Sequence, residues 1–359
     1  MGDYTYFLGV ALSPLGHDVD VLTGGQSDES LYPLPPNVQV HRVIDSREIR
    51  GLPNVLRSPR KLAAELLLVQ FLRWRWAAAG RSQSPTRTPS RTRGVNRPLL
   101  LRLLPSRLRV AVWARLYRGK HEQWRALYEA AALQYAPHVR MELVPGDVIS
   151  DCIAFTGLYE LPLTRRVVGL ARRGGTLVDV GANLGYFALL WAAQTPANGC
   201  LGLEASPRNI QILKRNVSRN GLQRRIEVMP LAAGARPGKL RFDVGPIEQT
   251  GWGGFVLGEP SGSIDLDVVR LDEVVRSDRP IALLKVDVEG ADAWVLMGCE
   301  RLLTNRAIQE VWYEQNKPRM RALGIPVDAA QDYLRAVGYS PSPYGDPAAE
   351  VVEWSAVPE

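Results

Sequence analysis

The stretch Thr176–Phe187, TLVDVGANLGYF, constrains this chain more than any other. A short, mostly apolar run, Leu177–Val180, reads as a buried strand, Gly181, Asn183 and Gly185 as a tight turn, and Gly185–Gln194 as the helix that follows. The pattern then repeats. Cys200–Glu204 reads as a strand, Pro207–Asn220 as a helix closed by Gly221, and Ile226–Pro230 as a third strand. After a Gly-rich, hairpin-like excursion through Lys239–Gly262 come a strand at Ile281–Val288, a helix at Ala291–Leu303 and a strand at Ile308–Glu314. Alternating β and α units of this length predict an α/β fold with a doubly wound, mostly parallel sheet. Such a sheet binds its ligand at the carboxyl ends of the central strands.

The residues at those ends carry the chemistry. Glycines in the turn let backbone approach a ligand, and the helix start offers free N–H donors. The turn G-A-N-L-G does not have the G-x-G-x-x-G spacing of a dinucleotide site. Asp179 precedes the turn and Glu204 ends the next strand, where an acid is placed to accept from both hydroxyls of a ribose. A short glycine turn with two acids and no phosphate-binding pattern suits an adenosine that carries a cationic group. All four histidines, His17, His41, His121 and His138, precede residue 139, so acid–base work beyond that point falls to carboxylates. Asp287 and Glu289 are the candidates, because alternation along a strand sends both to one side and paired carboxylates raise one pKa towards neutrality. The competing reading is that Lys285 neutralises one of them and Glu289 caps the next helix. With Asp292 the pair also offers hard oxygen ligands, but nothing in the spacing demands a cation, and no metal is assigned.

These residues resemble the FkbM-type family of S-adenosylmethionine-dependent methyltransferases over roughly residues 145–345. The resemblance is carried in order by Gly157-Leu158-Tyr159-Glu160, Val178-Asp179-Val180-Gly181-Ala182-Asn183-Leu184-Gly185-Tyr186, Glu204-Ala205-Ser206-Pro207, Lys214-Arg215-Asn216, Val269-Arg270-Leu271-Asp272 and Lys285-Val286-Asp287-Val288-Glu289-Gly290-Ala291-Asp292. Asp292 departs from the glutamate usual there. The resemblance implies a Rossmann-like methyltransferase sheet and S-adenosyl-L-methionine as cofactor. It implies that Asp179, Gly181, Asn183, Gly185 and Glu204 hold that cofactor, with Tyr159 and Glu160 closing over it. The expected reaction is methyl transfer to a hydroxyl of a glycan, glycolipid or natural product, with Asp287 and Glu289 as catalytic carboxylates. A non-catalytic methyltransferase-like binding module anchored by its basic segment is the alternative.

The N-terminal third reads differently. Val19–Leu22 and Val38–Val43 are strand-like, and ALSPLGHDVDVLTGG followed by NVQVHRV is similar to a donor-side segment of GT-B glycosyltransferases, which defines residues 1–46 as a small α/β fragment. The chain's net charge of +7 hides an asymmetry, since residues 47–120 hold 18 Lys/Arg against only Glu48 and Glu65, a local +16 that leaves −9 elsewhere. Helical patterns at Pro59–Ala79 and Leu99–Tyr117 flank a Ser/Thr/Pro/Arg-rich separator, Gly80–Pro98, expected to be disordered. Trp74, Trp76 and Trp113 among these arginines suit either a solvated basic face or peripheral contact with an anionic membrane, with nucleic acid a distant third. No basic, apolar leader opens the sequence, and Cys152, Cys200 and Cys299 form no CxxC pair, so a cytoplasmic, reducing location with or without membrane contact is expected. The methyltransferase-like domain is placed at 139–359, after a basic helical and linker region at 47–138.

Overall fold

The computed structural model describes residues 97–258, 262–276 and 280–359, together with the backbones of two earlier strands, β1 (Val19–Thr23) and β2 (Val38–Arg42). The chain divides into two compact units, Met1–Pro89 and Ser90–Glu359. In the first, β1 and β2 pair in parallel with Val19 opposite Val38. The remainder of residues 1–46, the helical pattern with Trp74 and Trp76, and the separator up to residue 96 lie outside the described residues.

The second unit begins well before the boundary expected at residue 139, and the reason lies in two arginines. Helices Leu99–Leu103 and Ser106–Leu116, divided at Pro105, bury Leu101, Val112 and Trp113. Arg97 donates from Nε to the Ala154 carbonyl at 2.8 Å and from Nη2 to those of Ile153, at 3.3 Å, and Ala132. Arg109 reaches the carbonyls of Thr156 and Leu104, each at 3.0 Å, and Gln134 Oε1 at 2.5 Å. At the end of helix Val148–Thr156 the Ile153 carbonyl is met by the Gly157 amide, and the guanidinium groups supply the partners of the Ala154 and Thr156 carbonyls. Residues 97–138 are thus bound into the α/β unit rather than standing as a separate basic region. Trp113, 6% exposed, is withdrawn from any membrane-facing surface. Among the described residues no helix is long and apolar enough to cross a membrane.

A short antiparallel pair, β3 (Ala131–Ala132) with β4 (Arg140–Met141), leads into the main sheet. Its strands are, in order, β5 (Thr176–Val180), β6 (Gly199–Leu203) and β7 (Ile226–Met229); after an insertion of β8 (Ala232–Ala233), β9 (Gly238–Asp243), β10 (Gly254–Phe255) and β11 (Ile264–Val269), the sheet resumes with β12 (Ile281–Val286), β13 (Val311–Asn316), β14 (Tyr339–Tyr344) and β15 (Val351–Pro358). The spatial order is β14-β15-β13-β12-β5-β6-β7, with the inserted strands forming their own sheet, β10-β9-β11-β8. Five strands, β7-β6-β5-β12-β13, run parallel, and β15 is antiparallel to both neighbours. Parallel strands covered by helices on both faces read as continuous apolar runs, and all six residues of β12 are buried accordingly. From β5 the chain winds outward to β6 and β7, and from β12 the other way to β13. The direction of winding therefore reverses between β5 and β12, which fixes the ligand crevice at their carboxyl ends. The helix expected at Ala291–Leu303 is two helices, Asp292–Met297 and Glu300–Thr304. Asp272 from the preceding segment accepts from the amides of Arg301 and Leu302 at 2.9 and 3.0 Å, so a carboxylate distant in sequence restarts the helix.

Candidate functional site

The turn after β5 is stitched to its neighbours by backbone. The amides of Gly181 and Ala182 donate to Leu203 O at 2.9 and 3.0 Å, and the amide of Asp287 donates to Val180 O at 3.0 Å. Gly181 has φ +80, and a Cβ built there would stand 1.9 Å from the Asp287 carbonyl oxygen. Only glycine lets the ends of β5 and β12 come this close. The crevice above them is a cavity that collects Gly181, Asn183, Glu204, Tyr159, Asp287 and Glu289, all six expected from sequence. Phe242 and Phe255 from the inserted sheet, with Leu231 and Ala205, give it an apolar wall.

Glu204 follows β6 directly. Its Oε2 accepts from the Asn183 amide at 2.7 Å and its Oε1 from the Ser206 amide at 2.8 Å. Each oxygen keeps a further lone pair. Burial pushes this carboxyl up to about 7, against the hydrogen bonds from Ser206 and Asn183. Nearby, the buried Asn183 Oδ1 has no partner. A carboxylate fixed by two backbone amides, with lone pairs to spare beside an apolar wall, fits a nucleoside whose ribose diol donates to it.

The opposite side of the cavity is acidic. In register, Lys285 on β12 stands beside Asp179 on β5. Its ammonium is 3.1 Å from Asp287 Oδ2, 3.7 Å from Asp179 Oδ1 and 5.3 Å from the centre of the Phe187 ring. Burial pulls this ammonium down, but Asp287, Asp179 and Glu160 together hold it above its ordinary range. The reading in which Lys285 neutralises Asp287 is therefore realised, whereas Glu289 caps nothing. The following helix has Ala291 at its N-cap with no side-chain bond, and Glu289 Oε2 instead meets Arg319 Nε and Asn316 Nδ2, each at 3.2 Å. Nor does strand alternation bring the pair together, since β12 ends at Val286 and the turn with Glu289 at φ +56 swings both side chains into the crevice. Burial, then the charge on Asp287, raise the Glu289 carboxyl to about 7.

Three sequence candidates lie outside the cavity lining. Asp179, 1% exposed, sits under the turn facing Lys285, and burial raises its carboxyl. Gly185 starts the helix, where a Cβ would press 2.5 Å from Leu213 Cδ1. Glu160 precedes helix Leu161–Ala171 with φ +39, and burial and Asp287 raise it to about 8. Sequence reasoning passed over Glu314, on β13, which lines the cavity beside Glu289. Its signal was an acid near the carboxyl end of a strand, visible only once β13 is known to lie next to β12. Backbone strain gathers here too: of the non-glycine residues at positive φ among those described, Glu160, Asn183 and Glu289 belong to the site or its border and only Arg306 does not. Among the described residues no three His, Cys, Asp or Glu side chains are grouped to hold a metal ion. The three cysteines are buried and free.

A parallel sheet that reverses its winding beside a glycine turn, an acid after its second strand and one antiparallel strand near its far edge together define a Rossmann-like methyltransferase fold. Residues 179–341 match the family model described as the Methyltransferase FkbM domain. Methyltransferase sdnD of Sordaria araneosa is 26% identical over 188 residues, covering 41% of this chain and 70% of that protein. Solved structures similar to the chain include the SAH-bound methyltransferase PaMTH1 of Podospora anserina, 11% identical with a TM-score of 0.36 over 56% of this chain and 80% of that one. A precorrin-6y C5,15-methyltransferase from Geobacter metallireducens GS-15 is 13% identical with a TM-score of 0.33, over 56% of this chain and 90% of that one.

Proposed function

We infer that the second unit binds S-adenosyl-L-methionine and transfers its methyl group to a hydroxyl of a small-molecule acceptor. The observation that carries this reading is that Glu204, Asp287 and Glu289 line one cavity. The cofactor, when bound, supplies a methyl electrophile already activated by a sulfonium charge, so alignment accounts for much of the acceleration. Gly181 and Asn183 give it a close backbone surface, and Glu204 takes the ribose hydroxyls. A hydroxyl nucleophile must lose its proton as the new C–O bond forms. Asp287, held by Lys285, orients the acceptor, while Glu289, near neutrality, takes the proton.

Two measurements test this. Glu204→Ala should weaken S-adenosylmethionine binding by about 1.5–3 kcal/mol, the scale of hydrogen bonds to a charged group. Because the Glu204 carboxyl lies at about 7, wild-type affinity should also decline as pH drops below that value and the better acceptor, the carboxylate, is lost. Isothermal titration reads both, and an unchanged affinity would remove Glu204 from the site. For the chemistry, tritium from methyl-labelled cofactor should enter small molecules of a cell extract in a form that survives mild alkali, as an ether does and a methyl ester does not. Glu289→Gln should slow that transfer by about a hundredfold or more. Tight cofactor binding with no transfer into any fraction would instead support the non-catalytic binding module.

A further inference from the structure

Glu314 is unassigned by this mechanism, yet its surroundings are unusual for a cavity-lining acid. Asn316 Nδ2 donates to Glu314 Oε1 and to Glu289 Oε2, both at 3.2 Å, so one amide clamps two carboxyl groups side by side. Directly across the antiparallel pair, the register partner of Glu314 is a third acid, Glu353. Like charges in that relation repel. The cations nearby are engaged elsewhere: Lys285 lies between Asp179 and Asp287, and Arg319 pairs with Glu289 and donates to Trp252 O. Among the described residues Glu314 has no ion-pair partner.

We propose that Glu289 and Glu314 form one acid–base pair on the acceptor side, Glu314 holding a proton and donating it in a hydrogen bond to the acceptor while Glu289 receives the proton of the reacting hydroxyl. The proposal rests on the methyltransferase reading above and adds a catalytic residue to it. Charge balances: the acceptor O–H proton passes to the Glu289 carboxylate, the acceptor oxygen bonds the methyl carbon, and the methyl–sulfur bond breaks to leave a neutral thioether. Glu314 keeps its proton throughout. Two carboxyl groups held together cannot both ionise at neutral pH, and the one without a cation keeps the proton. The groups facing Glu314 agree with that division, since burial, then Asp287, Asp292, Glu289 and Glu353, raise it to about 10, while Glu289 has Arg319 and Lys285 to oppose the rise.

The test is a carbon-13 titration of the full chain labelled at glutamate side-chain carboxyls, with the two signals assigned by their loss in Glu314→Gln and Glu289→Gln, and circular dichroism to establish that both variants are folded. Glu314 should remain protonated through pH 8, and its midpoint should fall by at least one pH unit in Glu289→Gln, because the neighbouring charge is gone. A Glu314 signal that titrates in the ordinary carboxylate range, or a midpoint that Glu289→Gln leaves in place, overturns the pair. Calorimetry with S-adenosylmethionine on the same samples separates the two levels. Normal cofactor binding with uncoupled titrations rejects the pair and leaves the methyltransferase reading standing, whereas no cofactor binding by the wild type rejects that reading and the pair's role with it.

Discussion

Gly181→Ala should leave little folded protein able to bind S-adenosylmethionine. The added methyl group would sit 1.9 Å from the Asp287 carbonyl oxygen, which belongs to the backbone of the turn after the neighbouring central strand and cannot rotate aside as a side chain would. Relief requires parting β5 from β12 where Asp287 N donates to Val180 O, the same place where the cavity opens. Alanine at φ +80 adds about 1 kcal/mol of backbone strain. Together these exceed about 4 kcal/mol, a large part of the roughly 5–15 kcal/mol that holds a domain folded. Gly221 is the control, because its φ is +65 but nothing lies within 4 Å of its Cβ position. Gly221→Ala should therefore cost only the backbone term. Urea midpoints of both variants separate clash from strain, and a Gly181→Ala protein within about 1 kcal/mol of wild type would mean that the strands are not locked as described.

The parts of this fold that were legible in the sequence are those set by local pattern. The apolar runs at β5, β6 and β7 and the glycine turn announce themselves because each is satisfied by neighbours a few residues away or by an obligatory backbone geometry. Glu204 was legible for the same reason, as the acid one residue beyond a strand. What was hidden depends on which distant segments meet. Arg97 fell in the separator expected to be disordered and Arg109 in a basic helical pattern, because nothing local reveals that the carbonyl end of helix Val148–Thr156 awaits them. The break at Met297–Glu300 was invisible because its capping carboxylate comes from Asp272. Glu314 needed knowledge of strand order, and Glu289 entered the site by a left-handed turn where alternation had been the argument. Periodicity carries information about one element at a time, whereas a site at a reversal of winding is assembled from many.

Lys285→Met should cost about 3–5 kcal/mol of stability, the penalty for leaving a buried charge without its counter-ion. The Lys285 side chain is 3% exposed and its ammonium stands between Asp179 and Asp287, one beneath the glycine turn and the other in the cavity. Methionine fills nearly the same volume against Phe187, so packing is largely conserved and the loss reports on charge. The dependence on pH fixes the cause. Burial already raises the Asp179 carboxyl, and without the ammonium that opposes it the carboxyl goes further above the ordinary value of about 4 that it takes when unfolded. The folded variant then binds more protons than its unfolded form from about pH 4 upwards, and its stability declines as pH rises through that window. The deficit against wild type should accordingly be small near pH 4.5 and full by pH 8, read from urea midpoints at each pH. A deficit that stays constant across that range would assign Lys285 a packing role and release Asp179 and Asp287 from the coupling described here.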